Sequence, residues 1–351
     1  MGIILVIIGL SVLILVHELG HFLAAKFFGV KVDEFGIGFP PRILSRRKGE
    51  TLYSLNLLPF GGFVKMEGED GEEGVVTEEN KTRRFDFQPL GRRTLIITAG
   101  VIMNVFLGWV LLMIVFTVGT PAHLLVADVT ENSPAAVADL RSGDVIVSAN
   151  YGEKSLSDPI VSQDFIDLAW AAGGQKINLT VSRNDQILEK TIESRKEPPA
   201  NQGPLGAGLV EIGWPAQNFF QGIISAFGQT FLILKQTIFG FYFFFSKLFV
   251  EPAVLDSVSG PVGIFSVALQ ASSLGFPYFL HLLALLSLNL AVLNILPLPA
   301  LDGGRLVFLL IEKIKKSPVA FRWQAIANVG GFVLLIGLVI LITVKDLKNI
   351  F

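Results

Sequence analysis

Residues 2–28 read GIILVIIGLSVLILVHELGHFLAAKFF. The run is uncharged up to Val16 and continues at helical spacing through His17-Glu18-Leu19-Gly20-His21 to Phe28. About 20 apolar residues carry a helix across the hydrocarbon core of a bilayer. The segment lacks a basic start, and no small-residue cleavage site follows it, so it reads as a retained membrane helix rather than a leader. Three ionisable groups in five residues are costly in such a helix unless they share a partner. His17 and His21 stand four apart, on one helix face. Both imidazoles can therefore hold one metal ion, with Glu18 beside them to take a proton from water. Zinc suits that work, because it lowers the pKa of water toward neutrality and polarises a carbonyl. Such a site needs a third protein ligand and an open fourth position.

The rest of the chain agrees with a membrane setting. Of 351 residues, 51% are hydrophobic and 17% are charged, whereas soluble domains carry roughly a quarter charged. The net charge of −2 and the lack of a basic stripe argue against a nucleic-acid partner. With no cysteine, disulfides, thiolate ligands and a thiol nucleophile are excluded. Further spans are expected over 95–120, 277–296 and 323–344. Basic residues collect in two loops, Arg42 to Arg93 and Arg305 to Arg322, which the positive-inside rule places in the cytoplasm. The apolar segment 231–250 is interrupted by Lys235 and Lys247. Were it to cross, the second basic loop would lie outside, so it is expected at the interface or re-entrant.

The expected fold is a multi-pass α-helical membrane protein with four transmembrane helices, a membrane-associated β-hairpin and an inserted α+β domain. Its parts are a membrane core over 1–120 and 257–351, the insert over 121–213, and interfacial, amphipathic linker helices over 214–256. Within the insert, strands are expected at 124–130 and 144–148 and a helix at 163–172. A hairpin should join 176–183 to 186–192 across Asn184-Asp185. In the core, Thr51 to Leu58 alternates and Gly61-Gly62 permits a turn back through Phe63 to Met66. That hairpin either offers an edge to an extended peptide or merely packs on the helices. Residues 67–79, rich in acid and glycine, read as a solvated loop, since they lack calcium-loop spacing.

For the third metal ligand, His123 and His281 fall toward the outer side. Asp302 falls at the depth of the histidine pair, in Leu296-Pro297-Leu298-Pro299-Ala300-Leu301-Asp302-Gly303-Gly304. A helix cap is the other role open to that carboxylate. Asn289 and Asn294 stand five apart in the same span and want polar partners, either a substrate backbone or neighbouring helices.

An H-E-x-x-H in the first span, paired with a late N-x-x-P-x-P-x-L-D-G at Asn294, Pro297, Pro299, Leu301, Asp302 and Gly303, resembles the site-2 proteases. The fuller pattern is similar to the bacterial RseP-type (regulator of sigma-E protease) branch. It includes residues 59–66 (PFGGFVKM), Gly100 with Asn104, and Ser259-Gly260-Pro261-Val262-Gly263. Val101 stands where that family commonly has proline. The resemblance implies zinc bound by His17, His21 and Asp302, with Glu18 as catalytic base. It implies substrate contacts at Gly61, Gly62, Phe63, Asn289, Asn294 and Pro297. Its expected substrates are single-span membrane proteins, among them anti-sigma-factor-like regulators already trimmed by an upstream site-1 protease, or remnant signal peptides. Residues 133–146 (SPAAVADLRSGDVI) resemble a bacterial PDZ module, serving as a size filter or, through residues 204–209, as a binder of peptide ends. Family members often carry two such modules; this chain has room for one. The implied location is the bacterial cytoplasmic membrane, with the insert outside and the active site toward the cytoplasm. The competing reading is a non-catalytic membrane PDZ scaffold with a structural metal, against which Glu18 speaks. A metal transporter would want several polar spans lining a path.

Overall fold

The computed structural model describes every residue except 1, 70–77, 184–185, 201, 249, 252–253, 255–257 and 351. The chain begins with α1 (Gly2–Phe27), β1 (Val32–Lys48), β2 (Thr51–Met66), the single turn α2 (Glu78–Lys81) and α3 (Leu90–Val118). A β-rich stretch follows: β3 (His123–Val129), α4 (Pro134–Val137), β4 (Val145–Tyr151), β5 (Lys154–Ser157), α5 (Ser162–Ala171), β6 (Lys176–Arg183), β7 (Gln186–Glu193) and β8 (Ala207–Ile212). The chain ends in α6 (Phe219–Lys247), α7 (Pro261–Leu274), α8 (Phe276–Ile295), α9 (Asp302–Lys315) and α10 (Phe321–Ile350).

In hydrocarbon every backbone N–H and C=O must be bonded internally, so long uncharged runs become helices. Among the described residues five helices, α1, α3, α6, α8 and α10, are long and apolar enough to cross a membrane. This is a multi-pass membrane protein with a β-rich domain. Four of the five coincide with the expected spans. The fifth changes the expected linker: 214–256 holds one continuous helix of 29 residues, α6. Its two lysines were too few to break an otherwise uncharged run.

Two compact units divide the chain. One comprises Met1–Met113, Ile224–Ser272 and Phe279–Phe351. Its helices approach closely wherever glycine removes a side chain. A Cβ on Gly20 would stand 2.4 Å from the Ala99 carbonyl oxygen, and one on Gly108 would stand 2.7 Å from the Leu288 side chain. Val6, Leu13, Ala268, Phe279 and Leu283 form one buried cluster. Ala25, Val30, Val32, Met66, Ile96 and Leu309 take part in another. A two-pronged ion pair from Arg93 to Glu312, at 2.5 and 3.0 Å, ties α3 to α9. The Gly263 N–H donates to buried Asp346 at 2.8 Å, joining the first turn of α7 to α10. Any Cβ on Gly260 or Gly263 would press on that carboxylate at 2.8 or 3.1 Å, which explains both glycines of the S-G-P-V-G stretch.

In the same unit β1 and β2 form a sheet whose pairing differs from the expected hairpin over 51–66. Thr51–Met66 is one strand with two partners in β1 rather than a strand folded on itself. Segment 34–37 pairs with 52–55 on one side and with 62–65 on the other, while 44–48 pairs with 51–55. Gly61, at φ +113°, turns the strand past Phe39. The partner strand lay hidden in a stretch that reads as a basic, proline-containing loop, RILSRRK following Pro40-Pro41.

The second unit comprises Ile114–Ile223 and Ser273–Tyr278. Its sheet has the order β7-β6-β4-β3-β8, with β5 pairing β4. The expected strands and helix appear within a residue or two, except that β4 runs three residues past its expected end; β5 and β8 are additional. The turn at Asn184-Asp185 lies outside the described residues, but Arg183 pairs with Gln186 as that hairpin requires. Ser133 caps α4 by accepting the Ala136 N–H at 3.1 Å. Buried Asp144 accepts Arg183 Nε at 2.6 Å and the Arg141 N–H at 2.9 Å. Phe165, Ile146 and Ile177 are fully buried in its core, each contributing about 1.5–3 kcal/mol.

Candidate metal centre

His17 and His21 sit on consecutive turns of α1, and both are buried. Asp302 begins α9, where the chain leaves α8 through Pro297 and Pro299 and takes a positive φ at Ala300. Gly303 and Gly304 let that loop fold onto the first turn of α9. A Cβ on either would meet the Leu296 or Leu298 carbonyl oxygen at 1.9 or 2.4 Å. Asp302 therefore points inward instead of capping the helix.

The three donors converge. His17 Nε2 and His21 Nε2 are 3.2 Å apart, and Asp302 Oδ2 lies 3.1 Å from the first and 3.3 Å from the second. Tetrahedral ligands about 2.0–2.1 Å from zinc stand about 3.3 Å from one another. The triangle has that edge. Asp302 Oδ2 is buried and makes no hydrogen bond, as expected of an atom that awaits a cation. This is the one cluster of three potential metal ligands among the described residues. His123 pairs instead with Asp158 at 3.1 Å, in the β-rich unit.

Neighbouring groups fix the rings. His21 Nδ1 lies 2.9 Å from the Ile96 carbonyl oxygen. That bond places the proton on Nδ1 and leaves Nε2 free to coordinate. His17 Nδ1 lies 3.3 Å from Asn104 Nδ2, while Asn104 Oδ1 is buried without a partner. Turning the Asn104 amide over sets its oxygen to accept the His17 Nδ1 proton and resolves both conflicts. Ser287 donates to the Asn104 carbonyl at 2.8 Å. Gly100 makes the space: its Cβ would stand 2.4 Å from His21 Nε2. The Ile96 carbonyl escapes sequence reading because it is backbone, and the spatial duties of Gly20 and Gly100 become visible once α1 and α3 are seen to cross.

Around this centre the structure separates the expected substrate residues. A Cβ on Gly62 would lie 3.4 Å from Glu18 Cγ, so the strand 61–66 passes beside Glu18. Asn294 Nδ2 is 3.3 Å from His17 Nε2. Asn289 is not brought to the site, because its Oδ1 accepts from Thr237 of α6 at 2.6 Å. Five residues along α8 had turned the two amides apart. Pro297 is exposed on the loop before Asp302. Beyond the site, Arg305 on α9 pairs with buried Glu69 just after β2. Most of the acidic stretch that follows Glu69 lies outside the described residues.

The chain is similar to known proteins along nearly its whole length. The model of peptidase family M50 matches residues 5–338. CPE1693 of Clostridium perfringens, named in the zinc metalloprotease class, is 35% identical over 351 residues, covering 99% of this chain and 98% of its own. Zinc metalloprotease RasP of Shouchella clausii is 29% identical over 420 residues, covering 97% of each. RasP of Geobacillus kaustophilus is 28% identical over 421 residues, covering 98% of this chain and 97% of its own. The chain belongs to peptidase family M50, the site-2 protease family. It is a membrane zinc metalloprotease.

Proposed function

We propose that this protein cleaves peptide bonds within or beside the transmembrane segments of other membrane proteins, with zinc held by His17, His21 and Asp302. The observation that carries this is the buried triangle of donor atoms with 3.1–3.3 Å edges. Zinc held there supplies a Lewis acid for the scissile carbonyl and lowers the pKa of water. Glu18, on the same helix turn, takes the proton of the attacking water and passes it to the leaving nitrogen. Nδ1 of each imidazole stays protonated on its own acceptor. The strand at Gly61, Gly62 and Phe63 pairs with an unwound substrate segment beside Glu18. The Asn294 amide, at the mouth of the donor triangle, holds a freed substrate carbonyl, and Pro297 borders the same path.

The substrates fitting such a site are single-span regulators already shortened on the outer side, as in regulated intramembrane proteolysis, or leftover signal peptides. The insert of β3 to β8 serves as a single PDZ-like module that filters substrates by the size of their outer domains. Its sheet order and the Ser133 cap support that assignment. In the bacterial cytoplasmic membrane, the insert faces outward and the metal centre lies toward the cytoplasm, as the basic residues of 42–93 and 305–322 favour. Helix α6 is interfacial or re-entrant, leaving four spans. Lys235 and Gln236 are exposed at its midpoint, where a crossing helix would set an ammonium at mid-bilayer. Cysteines placed before and after α6 test this: labelling from opposite sides would sink the four-span topology.

The deciding experiment is cleavage of a single-span substrate by purified protein, with and without chelator, beside Glu18→Gln. The variant is expected to keep stoichiometric zinc and lose cleavage by about 10²–10⁴-fold. Cleavage at the unaltered rate would remove Glu18 from the reaction.

A further inference from the structure

A cavity of about 430 Å³ opens on the β1–β2 sheet. Phe35, Ile37, Leu44, Tyr53 and Leu55 give it an apolar lining, and Arg46 is the single charged residue there. No residue of 61–66 lines it; its near edge is Ile37, the ladder partner of Gly62. The pairing places Leu44 beside Leu55, Tyr53 beside Phe35, and Phe35 beside Val64. A peptide strand added at 62–65 would therefore run two strand widths from Ile37 and four from Leu44, roughly 10–19 Å.

The sheet is graded in polarity along its strands. Its turn carries Arg46, Arg47 and Lys48, all exposed. None of the three joins an ion pair among the described residues, although nearby Glu50 binds Lys26 and Arg83. Lys26 is in the last turn of α1, which sets this end of the sheet where that helix leaves hydrocarbon. The opposite end exposes Ile43, Leu44, Leu57 and Leu58. Strand alternation puts Arg46 and Lys48 on the cavity face with Leu44. Cations at headgroup level above an apolar cavity complement one class of molecule, an amphiphile with an anionic head.

We propose that this cavity binds one anionic phospholipid from the leaflet on the Lys26 side. The acyl chain fills the apolar cavity and the phosphate meets Arg46 and Lys48. The volume falls in the range of ligand pockets, and cations near a membrane surface draw anionic lipid.

The test uses the full chain in neutral detergent. Phosphatidylglycerol is titrated against phosphatidylcholine of equal chain length, and bound lipid is counted by native mass spectrometry. One phosphatidylglycerol per chain is expected, with phosphatidylcholine binding about thirtyfold weaker. The double variant Arg46→Gln/Lys48→Gln should weaken phosphatidylglycerol roughly thirtyfold and leave phosphatidylcholine unchanged. Leu44→Trp fills the cavity from an exposed position and should abolish binding. Unaltered zinc content reports that each variant is folded, and the binding readout does not depend on cleavage. Equal binding of the two lipids, or undiminished binding in either variant, would overturn the proposal. So would displacement of lipid by inorganic phosphate at matched concentration, which would mark a free-anion site. Impaired cleavage by the double variant in pure phosphatidylcholine bilayers would assign the cavity to substrate instead.

Discussion

Replacing Gly100 with alanine adds one methyl group to α3 at a place with no room for it. The new Cβ would stand 2.4 Å from His21 Nε2, 2.7 Å from His17 Cε1 and 2.8 Å from His21 Cε1. Ordinary carbon contacts begin at about 3.5 Å, so the two rings must retreat by about 1 Å. Neither is free to do so. His21 is held by the Ile96 carbonyl and His17 by Asn104. Metal–ligand distances tolerate only about 0.2 Å. Losing a group that orients a ligand costs about 10–100-fold in metal affinity, and displacing the ligands themselves should reach the upper end of that range or pass it. Stability should move little by comparison. Alanine is favoured over glycine in a helix by about 1 kcal/mol, against an overpacking cost of about 1–3 kcal/mol. Gly91→Ala is the control, being the same change on the same helix with no atom within 4 Å of the new Cβ. Zinc affinity would be measured by competition with a chelating dye, and cleavage of a single-span substrate followed in parallel. A Gly100→Ala protein that binds zinc as tightly as Gly91→Ala would refute the close-contact argument.

Other outcomes follow from the same contacts. Asn104→Ala removes the partner of His17 Nδ1 and should lower zinc affinity about tenfold, read in the same competition assay. Arg93→Met leaves Glu312 without its partner and should cost about 3–5 kcal/mol, whereas Arg93→Met/Glu312→Met should recover most of it; denaturation in mixed micelles would compare the two. Asp139 gives a pH signature in the β-rich unit. Lys190, Arg141 and Arg183 hold its carboxyl well below the usual carboxylate range. Because the folded value is the lower one, this stabilisation is present above the unfolded value of about 3.9 and fades as pH falls through the folded value. Asp139→Asn should therefore speed hydrogen exchange in β6 and β7 at pH 7 and have progressively less effect below about pH 4. An equal effect at both pH values would exclude that linkage.

The cluster of His17, His21 and Asp302 was legible in the sequence because such groups are costly in a membrane. His17, Glu18 and His21 in an apolar helix, and a carboxylate between prolines and glycines at matching depth, leave few other uses for those groups. The helices were legible for a related reason, since hydrocarbon leaves the backbone little choice. The sheet was harder. Thr51 to Leu58 alternates and reads as a strand, but β1 carries Pro40-Pro41 and three consecutive cations, a composition that hides extended structure. Asn289 and Asn294 looked equivalent by residue type. Only the helix rotation between them sends one to His17 and the other to Thr237. The Ile96 carbonyl has no side-chain signature at all.

The donors converging at the centre come from α1, near the start of the chain, and from α9, near its end. A ribosome makes the histidine pair first and adds the aspartate only after the whole β-rich insert and α8 have been produced. A nascent chain still threaded through the insertion machinery thus has two donors of three. The order of synthesis separates the appearance of the histidine pair from the completion of the donor set.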